Sequence, residues 1–330
     1  MKMYKIAIDT IGSDKGPETI VQGALAALAA NPDLEVVLFG DAEVIGGVLA
    51  TTEHDAARVE VVHAPDAITN YDNPMEALFR KPEASLVKAL QALAARDDLV
   101  GLINAGSTGA LIAGSLRYVP AKPLRRPALA AILPAAKGGF TCLVDTGANI
   151  DCTPAMLVEF AHLGSDFMKQ CYAIENPKVG LLSNGAEETK GNKLVKEAHL
   201  LLKQEADLNF IGNIEGTNAL SGDCDVLVAD GFAGNQVLKN SEGIAKRLIT
   251  DIVKYAKKTG NAEIMQLVGY LMGIYDFNSL GGAVLLGIGK TVIKAHGAAN
   301  ADSIKNTSEI VLNIAKNKAF FDGKDIRENQ

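Results

Sequence analysis

The chain has 330 residues, enough for two domains or one large α/β domain. Apolar residues make up 48% and charged residues 22%, which excludes a disordered chain and matches an ordinary globular protein. A formal charge of −7, with no broadly basic region, sets aside a nucleic-acid groove.

The opening MKMYKIAIDT has too short an apolar run for a signal peptide and lacks a small-residue cleavage site. Its strand, Lys5–Asp9, is followed by IDTIGSDKGPE, which carries Asp9, Ser13 and Lys15, and by a helix pattern over Glu18–Ala30. Strands are expected at Val36–Phe39 and Val59–Val62, then a helix at Ser85–Arg96. A fourth strand, Val100–Ile103, runs into NAGSTGAL with Asn104, Ser107 and Thr108, and a helix follows over Ala110–Tyr118. The Pro/Arg-rich stretch Pro120–Pro127 reads as a crossing between two subdomains, meeting near 120–127.

Beyond it lie strands Ala128–Leu133 and Thr141–Asp145, the loop DTGANIDC with Asp145 and Asn149, and a helix over Pro154–Tyr172. Strand Lys178–Leu182 leads into SNGAEETKGN, with Lys190, and a helix at Gly191–Gln204. Strands Leu208–Ile211 and Val226–Ala229 come next. The second ends on Asp230, Gly231, Gly234 and Asn235 before a helix over Gln236–Lys258. Near the end sits GKTVIKAHG, with Lys294 and His296, and the tail Asp322–Gln330 is polar.

Short two-sided apolar strands alternating with helices imply right-handed crossovers and a mainly parallel sheet covered on both faces, a three-layer α/β/α fold. Ligands of such sheets bind beyond the carboxyl ends of the strands. That is where the Gly-, Asn-, Asp- and Ser-rich loops fall. A single loop of this kind is usually turn chemistry. Several in one chain point to a cleft for anions and carbonyls, built from N–H groups, amides and hydroxyls. There is no Walker loop and no GxGxxG after a first strand, so nucleotide and nicotinamide binding are unsupported.

The four cysteines, Cys142, Cys152, Cys171 and Cys224, lack CxxC pairing and read as reduced thiols of a cytoplasmic protein. The histidines at 54, 63, 162, 199 and 296 are widely separated, so no metal is expected, and no cofactor. No apolar run of about 20 residues is free of Gly, Asn or charge, so no membrane span is expected.

The loops IDTIGSDKGPE, NAGSTGAL, DTGANIDC, EETKGN, GNIEG, DVLVADGFAGN and IKAHG, in that order, resemble the PlsX family of bacterial phosphate acyltransferases from about Lys5 to Asn306. The resemblance implies a fold like isocitrate and isopropylmalate dehydrogenases and phosphotransacetylase. It also implies a reaction of acyl-(acyl carrier protein) with inorganic phosphate, giving acyl phosphate and free carrier protein for phospholipid synthesis. Further implications are a homodimer in the cytoplasm, peripheral on the inner face of the cell membrane. The acyl phosphate then serves a membrane-bound glycerol-3-phosphate acyltransferase. The chain departs from the usual motifs at Ser13, Lys15, Ser107 and Ala186. Two other readings stay open: an acyl-coenzyme A phosphotransacylase, and a non-catalytic paralogue that binds acyl carrier protein.

Attack of phosphate on a thioester needs positioning and stabilisation of an oxyanion more than covalent help, because a thiolate leaves readily. Lys190 is expected to neutralise phosphate or the oxyanion, and is a candidate to protonate the leaving sulfur. Asn235, with the N–H groups of Gly231 and Gly234, is expected to bind phosphate or the carbonyl oxygen. Asp230 either orients Lys190 or Asn235 or caps a helix. Asp9, Ser13, Asn104, Ser107 and Thr108 are further candidates for phosphate contact. Asp145 and Asn149 either position Lys190 or hold loops in shape. His296 is either an acid/base group or structural. An acidic carrier protein needs a local basic surface. GIAKRLITDIVKYAKK offers Lys246, Arg247, Lys254, Lys257 and Lys258 beside an apolar face of Ala245, Leu248, Ile249, Ile252, Val253 and Ala256. The segment 241–281 is therefore expected as a protruding helical element for carrier-protein, dimer or membrane contact.

Overall fold

A computed structural model describes residues 2–123, 125–275 and 281–316. The polar tail Asp322–Gln330 lies outside the described residues. The chain divides into two compact units, one of Met1–Leu129 with Asn278–Phe320, the other of Ala130–Phe277 with the last ten residues.

The first unit begins with β1 (Tyr4–Asp9), α1 (Pro17–Ala30), β2 (Leu34–Gly40), α2 (Ala42–Thr51) and β3 (Val59–His63). It continues through α3 (Pro74–Arg80), α4 (Ser85–Ala95), β4 (Leu99–Asn104) and α5 (Thr108–Tyr118). The chain returns to it later as β10 (Ala283–Leu286), β11 (Thr291–Lys294) and α10 (Ala301–Ala315). Its strands lie in the order β3-β2-β1-β4-β11-β10. All neighbours are parallel except the β10/β11 pair. Ile6, Ala7 and Ile8 are fully buried, as a strand covered on both faces requires. The winding reverses between β1 and β4, so the loops after these two strands flank a topological switch point.

The second unit contains β5 (Ala128–Pro134), whose first two residues belong to the first unit, β6 (Phe140–Val144), α6 (Pro154–Tyr172) and β7 (Lys178–Ser183). It goes on with α7 (Lys193–Leu202), β8 (Asn209–Glu215), β9 (Val226–Val228), α8 (Gly231–Thr259) and α9 (Ala262–Tyr275). The strand order is β5-β6-β9-β7-β8. β5 runs antiparallel to β6, and the other pairs are parallel. Leu133, Leu143, Leu227 and Ala229 form part of its core, and Ala233, Val237 and Leu238 of α8 pack on it.

Every expected strand forms, most of them extended by one or two residues; Leu208–Ile211 loses its first residue and gains four at its end, Thr141–Asp145 shifts back by one, and Val226–Ala229 loses its last residue. Five elements had no expectation: α2, α3, β10, β11 and α10. α2 contains the pair Gly46-Gly47, whose low helix propensity hides the pattern. α10 buries hydroxyls where an apolar stripe is sought. Thr307 Oγ1 donates to Gly281 O at 2.9 Å and to Ser303 O at 2.7 Å, and Ser308 Oγ to Ile304 O at 2.8 Å. α10 starts on a capping box between Asn300 and Ser303 and packs on α1, where Gly23 faces Ile304. α8 starts five residues earlier than expected, at Gly231, and runs for 29 residues.

Two glycines permit that early start. A Cβ at Gly231 would lie 2.5 Å from Asn149 O, and one at Gly234 would lie 1.9 Å from Asp145 O. Gly243, farther along the same helix, has nothing within 4 Å of a built Cβ. Gly234→Ala is therefore expected to lower unfolding free energy by about 2 kcal/mol or more through overpacking. Gly243→Ala should raise it by about 0.5–1 kcal/mol. Urea unfolding followed by circular dichroism checks both, and equal effects at the two positions would contradict this packing.

Candidate active site

The expected residues fall into two groups, one in each unit. In the first unit, the loops after β1, β4 and β11 touch one another. The Cβ position of Gly12 lies 2.7 Å from Gly106 Cα. Ser13 Oγ donates to Gly297 O at 3.2 Å, and Asp14 N to the same oxygen at 2.8 Å.

Asp9 and Asn104 stand at matching ends of the paired strands β1 and β4. Asp9 accepts Ile11 N at 3.1 Å and Asn104 Nδ2 at 2.7 Å, while Asn104 Oδ1 accepts Gly106 N at 3.1 Å. Both side chains are buried. The expected role of Asn104 as an anion donor is thus replaced by one of tying two loops together. Burial pushes the Asp9 carboxyl up to about 6, opposed by hydrogen bonds from Ser85, Ile11 and Asn104 and by the field of Lys294.

The helix that follows, α5, starts at Thr108, two residues before its expected start. Ser107 is its N-cap, but its side chain makes no capping hydrogen bond, and the first turn holds no acidic residue. The N–H groups of Thr108, Gly109 and Ala110 have no helical acceptor. Together with the Ser107 hydroxyl they form a site of positive potential. His296 is exposed. Its Nδ1 accepts Ala298 N at 3.1 Å, which shapes the turn after β11, and Lys294 Nζ donates to Ala105 O at 3.2 Å and Ala295 O at 2.5 Å.

In the second unit, Asp145 is fully buried at the end of β6. Its carboxylate accepts Gly147 N (3.2 Å), Ala148 N (3.0 Å), Asn149 N (2.6 Å) and Asn149 Nδ2 (3.0 Å). Of the two roles considered for Asp145 and Asn149, these bonds carry out loop shaping. Gly231 N donates to Asn149 O at 2.8 Å, and Gly234 N to Asp230 O at 2.9 Å. The N–H groups of Gly231 and Gly234 are therefore not available to an anion, contrary to expectation. The glycines serve close packing instead. Asp230 caps α8, accepting Ala233 N at 2.8 Å.

Asn235 sits half-buried in the first turns of α8. Lys190 is exposed in the loop after β7, packed on Gly185, and forms no ion pair among the described residues. Lys190 lies in the loop after β7 and Asn235 in the helix that follows β9, each beyond the carboxyl end of one of two adjacent strands. Between those strand ends opens a cleft of about 630 Å³, lined by Asp230, Gly191 and Gln236 among others. Its apolar wall residues, Leu157, Leu182, Val195 and Phe232, were not singled out by sequence reasoning. They belong to helices and strands whose apolar positions read simply as core.

Residues 4–319 match the family described as "Fatty acid synthesis protein". A phosphate acyltransferase of Clostridium beijerinckii is 38% identical, with 98% of each chain covered. Another, from Brevibacillus brevis, is 41% identical over 92% of this chain and 91% of its own. The chain belongs to this family, the PlsX acyltransferases. Among solved structures this PlsX-family acyltransferase is similar to a phosphotransacetylase from Streptococcus pyogenes, with a TM-score of 0.63 at 19% identity, covering 96% of this chain and 94% of that one. A branched-chain phosphotransacylase from Enterococcus faecalis superposes with a TM-score of 0.58 at 17% identity, covering 94% and 98%. These likenesses establish the fold.

Other titratable groups of the PlsX-family chain lie apart from these loops. Burial raises the Cys171 and Cys224 thiols to about 12 and raises Cys142 further, so none is a thiolate nucleophile. Cys152 Sγ lies 3.4 Å from Asn149 O, and the four cysteines form no disulfide. The fold gathers His162, Glu205 and Asp207 within metal-ligand reach of one another, a partly exposed cluster that the sequence separation of 43 residues conceals.

The raised Asp9 carboxyl sets a pH dependence. Its folded-state value lies above that of an ordinary aspartate, so its stabilising contribution is complete below about pH 4 and is lost as pH rises through about 6. The stability difference between wild type and Asp9→Asn should fall between pH 4 and 7 by about 3 kcal/mol. Denaturant titrations across that range read it, and a flat difference would exclude the shift.

Proposed function

We propose that this PlsX-family acyltransferase converts an acyl-(acyl carrier protein) thioester and inorganic phosphate into acyl phosphate and free carrier protein, supplying phospholipid synthesis. The observation that carries the reading is the start of α5, which has no side-chain cap and no acidic residue in its first turn, at the switch point of a family whose relatives are named phosphate acyltransferase.

In this reading a phosphate oxygen attacks the thioester carbonyl carbon, and a tetrahedral oxyanion forms. The C–S bond then breaks, and the departing thiolate takes a proton. Ser107, Thr108 and the first-turn N–H groups of α5 bind phosphate, and Ser13 supports the adjoining loop. Lys190 neutralises the phosphate or the oxyanion and is the candidate proton donor to sulfur. Its exposure and the absence of an ion pair among the described residues leave its ammonium disposed for this work. Asn235 donates to the carbonyl oxygen. Asp230 positions the start of α8, and Asp9, Asn104, Asp145 and Asn149 hold the loops. His296 remains a candidate acid/base group through its ring. No step calls for a metal or an organic cofactor.

Carrier-protein docking is assigned to α8, where Lys246, Arg247, Lys254, Lys257 and Lys258 are all exposed. Arg247 pairs with Asp251 at 2.7 Å, and Lys254 lies 3.9 Å from the same carboxylate. Ala256 is buried and Ile252 half-buried, but Leu248 is 58% exposed, and Ile244, Tyr255, Met265 and Tyr270 add further exposed apolar area on α8 and α9. This favours a partner there: carrier protein, a second copy of the chain, or a lipid surface. No helix among the described residues is long and apolar enough to cross a membrane.

Incubation with palmitoyl carrier protein, with and without phosphate, should yield acyl phosphate only when phosphate is present. Turnover with acyl-coenzyme A instead would favour the phosphotransacylase reading, and no turnover would favour the binding paralogue. Lys190→Ala and Asn235→Ala should each reduce kcat by roughly 10²–10³-fold; unchanged turnover in both removes the assignment. Arg247→Glu combined with Lys254→Glu should raise KM for the acyl carrier about tenfold and leave KM for phosphate unaltered. A parallel rise in both constants speaks against docking on α8.

A further inference from the structure

The cleft beyond β7 and β9 has a volume of about 630 Å³, within the range of roughly 300–1,000 Å³ typical of small-ligand sites. Its walls come from four elements: Leu157 of α6, Leu182 of β7, Val195 of α7, and Phe232 and Val237 of α8. Phe232 is 59% exposed, an aromatic ring left in contact with water beside a concave apolar surface. No lysine or arginine lines the cleft, so its chemistry does not suit a bare anion.

Polar side chains on the lining are few: Asp230, whose Oδ1 accepts Ala233 N at 2.8 Å, and the neutral Ser183, Asn184, Asn192 and Gln236. Asn184 Oδ1 accepts Gly191 N at 2.8 Å, and Asn192 Oδ1 accepts Val195 N at 2.9 Å. With their oxygens so engaged, the two side chains keep their amide N–H groups as donors. Ser183 Oγ, also on the lining, is buried with no hydrogen-bond partner among the described residues. A buried hydroxyl without a partner is uncommon and is explained when a ligand oxygen completes it.

An apolar trough with neutral donors suits a long hydrocarbon tail joined to an uncharged carbonyl. We propose that this cleft holds the acyl chain of the thioester substrate, with Phe232 lying against the chain at the rim; this rests on the phosphate-acyltransferase reading above. Lys190 and Asn235 are the sequence neighbours of the lining residues Gly191 and Gln236, so the thioester end of such a chain is assigned to that end of the cleft. The cleft is then the part of the chain that measures acyl length, because each methylene buried in it strengthens binding roughly fourfold until the space is full.

The test uses the full chain with carrier-protein thioesters from butanoyl to stearoyl. For wild type, kcat/KM should climb several-fold per added methylene and then level off. Gln236→Trp, an exposed lining position where a larger side chain does not disturb the core, should lower the ratio of long- to short-chain kcat/KM by tenfold or more. Ala233→Leu should do the same to a smaller extent. A second readout is independent of turnover: quenching of a fluorescent long-chain fatty acid titrated into the wild type and into Gln236→Trp, both confirmed folded by circular dichroism. If wild type shows no phosphate-dependent turnover with any thioester, the proposed function fails, and the cleft is judged by the titration alone. Binding to wild type that is weakened tenfold in Gln236→Trp supports the chain site. Unaltered chain-length profiles in an active enzyme, or equal fatty-acid binding by wild type and variant, overturn it.

Discussion

A single buried carboxylate organises the second unit. Asp145 accepts four N–H groups from the three residues Gly147, Ala148 and Asn149, and so winds the loop after β6 into one shape. A carboxylate taken out of water is tolerated only when its lone pairs are met in this way. Asn149 O then takes Gly231 N, and Asp145 O presses on Gly234. The position and direction of α8 follow from those contacts. So does one wall of the cleft, because Phe232, Gln236 and Val237 are carried by the same helix.

The first unit repeats the device with different partners. Asp9 draws in Ile11 N and Asn104, and Asn104 draws in Gly106 N. The two loops meet where winding reverses, and α5 begins with unused N–H groups beside Ser107. Acids and amides at strand ends thus act on the backbone, and the backbone presents the donors. Positive potential comes from a helix terminus rather than from a cluster of cations, which limits the penalty of holding an empty site charged.

The parallel core was legible in the sequence because its strands are short, apolar on both faces and ended by turn residues. Elements whose buried positions carry hydroxyls or glycines were not. Thr307 and Ser308 of α10 are fully buried, satisfied by carbonyls of their own helix and of Gly281. Ordered motifs were enough to recognise the family. Individual roles were harder, since Asp, Asn and Gly after a strand look alike whether they bind a ligand or a neighbouring loop. Gly231 and Gly234 show the limit: both are needed at the elbow, yet for space and not for their N–H groups. The cleft walls were invisible for another reason, because Leu157, Leu182 and Val195 occupy positions that any apolar core would fill.

α8 spans about 43 Å over its 29 residues. Its first turns are wedged between Asp145 and the core beneath Ala233 and Val237, whereas Gly243 stands in open space. Mechanically this is a cantilever, anchored beside the chemistry and of lowest helix propensity a little before its midpoint. Its far, lysine-rich half packs on α9, so a partner that docks there bears on a helical pair held away from the Asp145 anchor.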